Sequence, residues 1–90
     1  MYKLQIHKDA EKAMRKAPER IREKSYRFLR HLRHAGTQDA PFRIKALQGA
    51  FKKHRFLEAI IDEDYRIIFR REQDTFYVRL AGTHNELHTG

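Results

Sequence analysis

Hydrophobic and polar residues alternate from the start of the chain, with Tyr2, Leu4 and Ile6 on one side and Lys3, Gln5 and His7 on the other. This period of two predicts a strand with one buried face, running to about His7. The spacing then changes. Ala10, Ala13, Met14 and Ala17 recur at i, i+3, i+4 and i+7, the apolar stripe of a short helix with Asp9 as its N-cap and Pro18 as its end. From Glu19 to His34 a second helix places Ile21, Phe28, Leu29 and Leu32 on one side and Arg and Lys on the other, with Gly36 as the stop. Two helices meeting at a proline predict a hairpin.

Thr37 to Pro41 reads as a loop, Phe42 to Leu47 as a short strand and Gln48-Gly49 as a turn. Three further strands follow, Phe56 to Ile61, Tyr65 to Arg70 and Phe76 to Ala81, separated by charged turns at 62–64 and 72–74. They predict an antiparallel meander. The order β-α-α-β-β-β-β implies an α+β fold: an N-terminal strand, then a helical hairpin packed on a curved, mainly antiparallel sheet of four or five strands. No repeat, linker or low-complexity tract breaks this pattern. Ninety residues leave room for one core, so one domain spanning 1–90 is expected.

Composition narrows the setting. There are no cysteines, which excludes a disulfide framework and thiolate zinc sites and suits a reducing compartment. No apolar run approaches the roughly 18 residues of a membrane span, and the N-terminus lacks the apolar centre of a signal peptide, so a soluble, cytoplasmic protein with no membrane partner is expected. Lys and Arg number 20 against 12 acids, a net charge of +8, which favours a polyanionic partner. The excess is uneven. Residues 1–34 hold 11 Lys/Arg and 4 acids, hence +7, while residues 35–90 hold 9 and 8, hence +1. Such helices would attract a phosphate backbone by counterion release, or simply be a solvated face.

Along the later strands Tyr65, Ile67 and Phe69 fall on one face and Arg66, Ile68 and Arg70 on the other, while Phe76, Val78 and Leu80 oppose Tyr77 and Arg79. If one face is core, the other presents Arg66, Arg70, Arg79 and Tyr77 side by side, a cationic and aromatic surface suited to phosphate contact and base stacking. Gly82-Thr83-His84 then leaves the last strand abruptly. His84 is the best single candidate for proton transfer near neutral pH. Cleaving RNA through its own 2′-hydroxyl needs a base, an acid for the departing 5′-oxygen, and a cation for the charged phosphorane. Glu58, His84 and Arg66 have the chemistry for those roles. His31 and His34 lack a third ligand at suitable spacing, so no metal site is expected. No phosphate-cradling glycine loop, nucleophilic serine motif or dinucleotide fingerprint is present, so no small-molecule cofactor is expected either.

Three blocks carry a resemblance: Ala46-Leu47-Gln48-Gly49-Ala50-Phe51-Lys52, Asp64-Tyr65-Arg66-Ile67-Ile68-Phe69, and Ala81-Gly82-Thr83-His84-Asn85-Glu86-Leu87. In this order they resemble the RelE/ParE superfamily of toxins from type II toxin-antitoxin modules, and within it the YafQ branch. The resemblance implies a RelE-like fold and a ribosome-dependent mRNA interferase that cuts in the A site and is held inactive by a cognate antitoxin. It places His84 on the terminal catalytic histidine, Asp64 on an acidic residue at the strand start, Tyr65 on its aromatic neighbour and Arg66 on the following arginine. Glu58 falls where the branch has an aspartate. Lys45, Ile60 and Leu80 replace two histidines and an arginine of the branch, and His88 stands at an aromatic position. The resulting expectation makes His84, Arg66, Glu58 and Asp64 catalytic. Lys45, Lys52, Lys53, Arg70, Arg79 and His88 would hold RNA, with Tyr65 or Tyr77 stacking on a base. The alternatives are a ParE-like toxin acting on DNA gyrase without nuclease chemistry, and a degenerate, inactive module.

Overall fold

A computed structural model of the chain describes residues 1–47 and 55–87. The elements run β1 (Lys3–Ile6), α1 (Lys8–Lys16), α2 (Glu19–Ala35), β2 (Arg43–Ala46), β3 (Leu57–Ile60), β4 (Tyr65–Glu72), β5 (Thr75–Thr83) and α3 (His84–Leu87). The strands form one sheet in the order β1-β5-β4-β3-β2. All pairings are antiparallel except that of β1 with β5. This is the α+β architecture that the patterning predicts, with the parallel N-terminal strand and the short α3 as additions.

Local chemistry sets the helix ends. α1 begins at Lys8, and its cap is His7, not Asp9: His7 Nδ1 accepts the Asp9 amide at 3.1 Å. The His7 amide still donates to the Val78 carbonyl as a continuation of β1, so strand passes directly into helix and Asp9 falls inside it. Ala17 is extended (φ −69°, ψ 155°) because the Pro18 ring disfavours the helical region for the residue before it. α2 starts immediately after Pro18. It ends at Gly36, whose φ of +67° suits glycine, and a Cβ there would lie 3.0 Å from the Tyr2 ring.

The helical hairpin covers one face of the sheet. Ala10, Met14, Ile21, Phe28, Leu29 and Leu32 pack on Ala59, Tyr65, Ile67, Phe69, Phe76, Val78 and Ala81. Phe28, Phe69 and Phe76 stack in sequence, with centroid separations of 5.4 and 6.0 Å, within the range in which edge and tilted aromatic pairs attract. Ser25, buried in the same layer, donates its hydroxyl to the Ile21 carbonyl at 2.8 Å, which keeps a polar atom satisfied inside α2. Asp62, in the turn between β3 and β4, accepts from Lys24 and Arg20 of α2, both at 3.0 Å. The Lys24 hydrogen bond, joined by the Arg20 charge, holds the Asp62 carboxyl below its ordinary range despite partial desolvation.

One irregularity reshapes the opposite face. Ile68 pairs with Leu80 but Phe69 pairs with Val78, so Arg79 is an extra residue on β5, a β-bulge. The expected alternation of Phe76, Val78 and Leu80 therefore fails at Leu80. Ala81 takes the core position, and Leu80 moves to the open face beside the fully buried Ile68. No described helix is long and apolar enough to cross a membrane.

Candidate functional site

Strand alternation puts Ala59 in the core and turns Glu58 to the open face, opposite Lys45 of β2 and Ile68 of β4. Glu58 is nevertheless only 1 % exposed. A carboxylate so placed requires cationic neighbours. Its Oε1 lies 3.6 Å from both Lys45 Nζ and Arg66 Nε, while Oε2 has no hydrogen-bond partner among the described residues. Arg66 Nη1 donates to the carbonyls of Asp62 and Glu63 at 3.1 and 2.9 Å. The guanidinium is thus hydrogen-bonded to the turn on one side and faces the carboxylate at ion-pair distance on the other, where its Nε has no hydrogen-bond partner among the described residues.

The neighbouring strand delivers His84 to the same end of the sheet. Arg66 opposes Gly82 and Tyr65 opposes Thr83, and the His84 amide donates to the Asp64 carbonyl at 2.8 Å. The chain then turns into α3 through a capping box: the Thr83 amide donates to Glu86 Oε1 at 2.8 Å, and the Glu86 amide donates to Thr83 Oγ1 at 3.2 Å. The Thr83 amide also holds the Glu86 carboxyl below its ordinary range. His84 is half-buried, with no side-chain hydrogen bond among the described residues, so its imidazole is available for chemistry.

The candidate residues therefore separate into groups. Glu58, Arg66 and Lys45 meet around one carboxylate, and His84 follows two residues after Gly82, the register partner of Arg66. Asp64 is exposed, and its observed role is the carbonyl that anchors His84. Arg70, Tyr77 and Arg79 form a second group near the other end of β4: the Arg70 guanidinium lies 4.6 Å over the Tyr77 ring and bonds Glu72 at 2.6 Å. They do not lie side by side with Arg66, because Arg70 pairs with Tyr77 while Arg66 pairs with Gly82. Lys52, Lys53, His88 and the Gln48-Gly49 turn fall outside the described residues.

Tyr65 faces the helices and not the expected base-stacking surface. Its ring belongs to the core, 6 % exposed on the helix face, so it is not placed to stack on a base at the open face. Its hydroxyl is buried without a hydrogen-bond partner among the described residues, and the residue lines a cleft of about 670 Å³ between the helical hairpin and the β5–α3 junction. Burial, with the Glu86 charge adding to it, pushes this phenol up to about 12.

Arg43 and Glu86 also shape the site. Arg43 pairs with Ile60, which pairs with Arg66, so Arg43 lies in the same row of the open face and two residues from Lys45. The spacing of Arg43 and Lys45 on one strand was the available signal. Glu86 was legible as well, since Thr83-His84-Asn85-Glu86 has the T-x-x-E form of a capping box.

The sheet order β1-β5-β4-β3-β2, with the helical hairpin on one face, is that of a RelE-like fold. The chain has that fold. Among solved structures, it superposes on YafQ from E. coli strain BL21(DE3) with TM-score 0.77 and 17% identity, covering 97% of this chain and 98% of that one. A chain of the RelB-RelE antitoxin-toxin complex from Methanococcus jannaschii gives 0.76 at 17% identity, covering 92% and 93%. A copper-bound mutant toxin from Helicobacter pylori gives 0.74 at 24% identity, covering 97% and 99%. No family model and no curated protein sequence matches the chain, so the likeness is one of fold.

Proposed function

We propose that this protein is the toxin of a type II toxin-antitoxin module, a YafQ-like mRNA interferase that cleaves mRNA in the ribosomal A site. One observation carries the reading: Arg66, clamped by Glu58 and the 62–63 carbonyls, lies on the strand beside the one that leads into His84. In the reaction the 2′-hydroxyl loses its proton to a base and its oxygen attacks the adjacent phosphorus. The bond to the 5′-oxygen then breaks, and that oxygen takes a proton from an acid. His84 serves as the acid or the base. Arg66 stabilises the charged phosphorane. Glu58 orients Arg66, and the exposed Asp64 carboxylate is the second candidate for proton transfer. Lys45 and Arg43 hold backbone phosphate at the margin of the site.

The partner is a cognate antitoxin protein. Solved relatives of the fold come from DinJ-YafQ and RelB-RelE complexes, which supports that assignment. The basic exposed surface of the helices, on the other side of the sheet, docks on ribosomal RNA, and its charge supports salt-sensitive ribosome binding. Mapping 5′ ends of cellular mRNA after induction tests the activity: codon-phased cuts that vanish in His84→Ala are expected. DNA breaks without mRNA cuts would assign the protein to gyrase inhibition instead. Soluble expression with no growth defect would make it an inactive module.

A further inference from the structure

The open face has a concavity that the proposed cleavage chemistry does not use. A groove of about 240 Å³ lies where β1 joins the sheet, bordered by Gln5, His7, Phe56, Arg70, Tyr77 and Arg79. Among the described residues no acidic side chain borders it. Two features of the tertiary structure create it. The parallel pairing of β1 with β5 sets Gln5 opposite Tyr77, and the bulge at Arg79 breaks the alternation of β5 next to them.

We infer that this groove is a nucleotide subsite, which seats one base and its phosphate from single-stranded RNA and discriminates among bases. The inference rests on the nuclease reading for its biological purpose, and on the groove's own chemistry for its ligand. Arg70 supplies a flat wall, because its guanidinium is held over the Tyr77 ring and by Glu72 at once. Guanidinium planes and aromatic rings are the surfaces on which unpaired bases stack.

Edge recognition comes from Gln5 and His7. The Asp9 amide occupies the His7 Nδ1 lone pair, which in the neutral ring leaves the proton on Nε2 and makes that nitrogen a donor. The Gln5 amide offers both a donor and an acceptor. Arg79 is exposed and has no ion pair among the described residues, so its fork is available to a phosphate. The groove is slightly smaller than the roughly 300–1,000 Å³ of drug-sized ligand pockets, which suits a single base. Arg70 and Arg66 are four residues apart on β4, about 13 Å along the strand, so one short single strand spans the groove and the Arg66 site.

The test is a heteronuclear NMR titration of the full chain carrying His84→Ala, with the four nucleoside 5′-monophosphates, inorganic phosphate and a short single-stranded RNA as probes. Expected are saturable shifts at Gln5, His7 and Tyr77 and a spread of about tenfold among the four nucleotides. Arg79→Ala should weaken all four alike, and Gln5→Ala should collapse the spread. Shifts confined to other surfaces, or equal binding of all four nucleotides and phosphate, would overturn the subsite. Cleavage plays no part in this readout. Codon-phased cuts in cells without groove binding would sink the subsite alone, and groove binding without cuts would sink only the nuclease.

Discussion

Glu58 Oε1 lies 3.6 Å from Arg66 Nε, with the Glu58 side chain almost wholly removed from water and that of Arg66 mostly so. A buried carboxylate without a cation is costly. The ion pair on one side and the Asp62 and Glu63 carbonyls on the other fix the position of the Arg66 guanidinium.

Removing the carboxylate should separate this role from proton transfer. Glu58→Gln is expected to lower stability by about 3 kcal/mol in urea unfolding, because it leaves the Arg66 guanidinium partly buried beside a neutral amide. Lys45→Ala, on the half-exposed partner, should cost no more than about 1 kcal/mol. Equal losses for the two would show that the pair is not organised around burial.

His84→Ala should behave oppositely. The ring is half-buried and makes no hydrogen bond among the described residues, so the melting temperature should stay nearly constant. RNA cleavage should fall by about 10²–10⁴-fold, the usual contribution of a general acid or base. Retained growth arrest in this variant would remove the imidazole from the mechanism.

Tyr65 is the probe of the core. One of the four tyrosines should ionise near pH 12, seen as a late rise in tyrosinate absorbance that disappears in Tyr65→Phe. The sign follows from the raised folded value: this group's contribution to stability is complete below pH 10 and is lost as pH climbs from 10 through about 12. Tyr65→Phe should itself be near neutral or stabilising, since it removes a buried hydroxyl that has no partner among the described residues.

Glu86 tests the seat of His84. Its folded carboxyl lies below the ordinary 4.5, so the cap is fully formed above that pH and fails as pH drops through the depressed value. Amide exchange at Thr83 should accelerate over that acid range. Thr83→Ala, which removes the hydroxyl half of the box, should cost about 1 kcal/mol and lower cleavage without abolishing it. Unchanged Thr83 protection in Glu86→Ala would sever the cap from the position of His84.

Much of the molecule is written in residue spacing. The stripe of Ile21, Phe28, Leu29 and Leu32 and the alternation of Tyr65, Ile67 and Phe69 mark surfaces that must leave water, so the helical hairpin and β4 follow from local periodicity. The same pattern put Arg66 on the open face and His84 just past the last strand. Cross-strand partnership is a different matter. The Glu58–Arg66 contact depends on the register of β3 against β4, which is set by the packing of both strands on the helices.

By itself, then, the chain's sequence determined which residues are apolar on one side, where helices stop, and which cationic and imidazole groups lie near the end of the sheet. These are properties of neighbours along the chain, governed by hydrophobic period and backbone sterics. Tertiary structure alone decided that Glu58 is buried against Arg66, that Arg79 is a bulge, and that β1 lies parallel to β5 and sets Gln5 beside Tyr77. Those outcomes join segments distant in sequence, and only the packing of the whole sheet against its helices selects among the registers open to each strand.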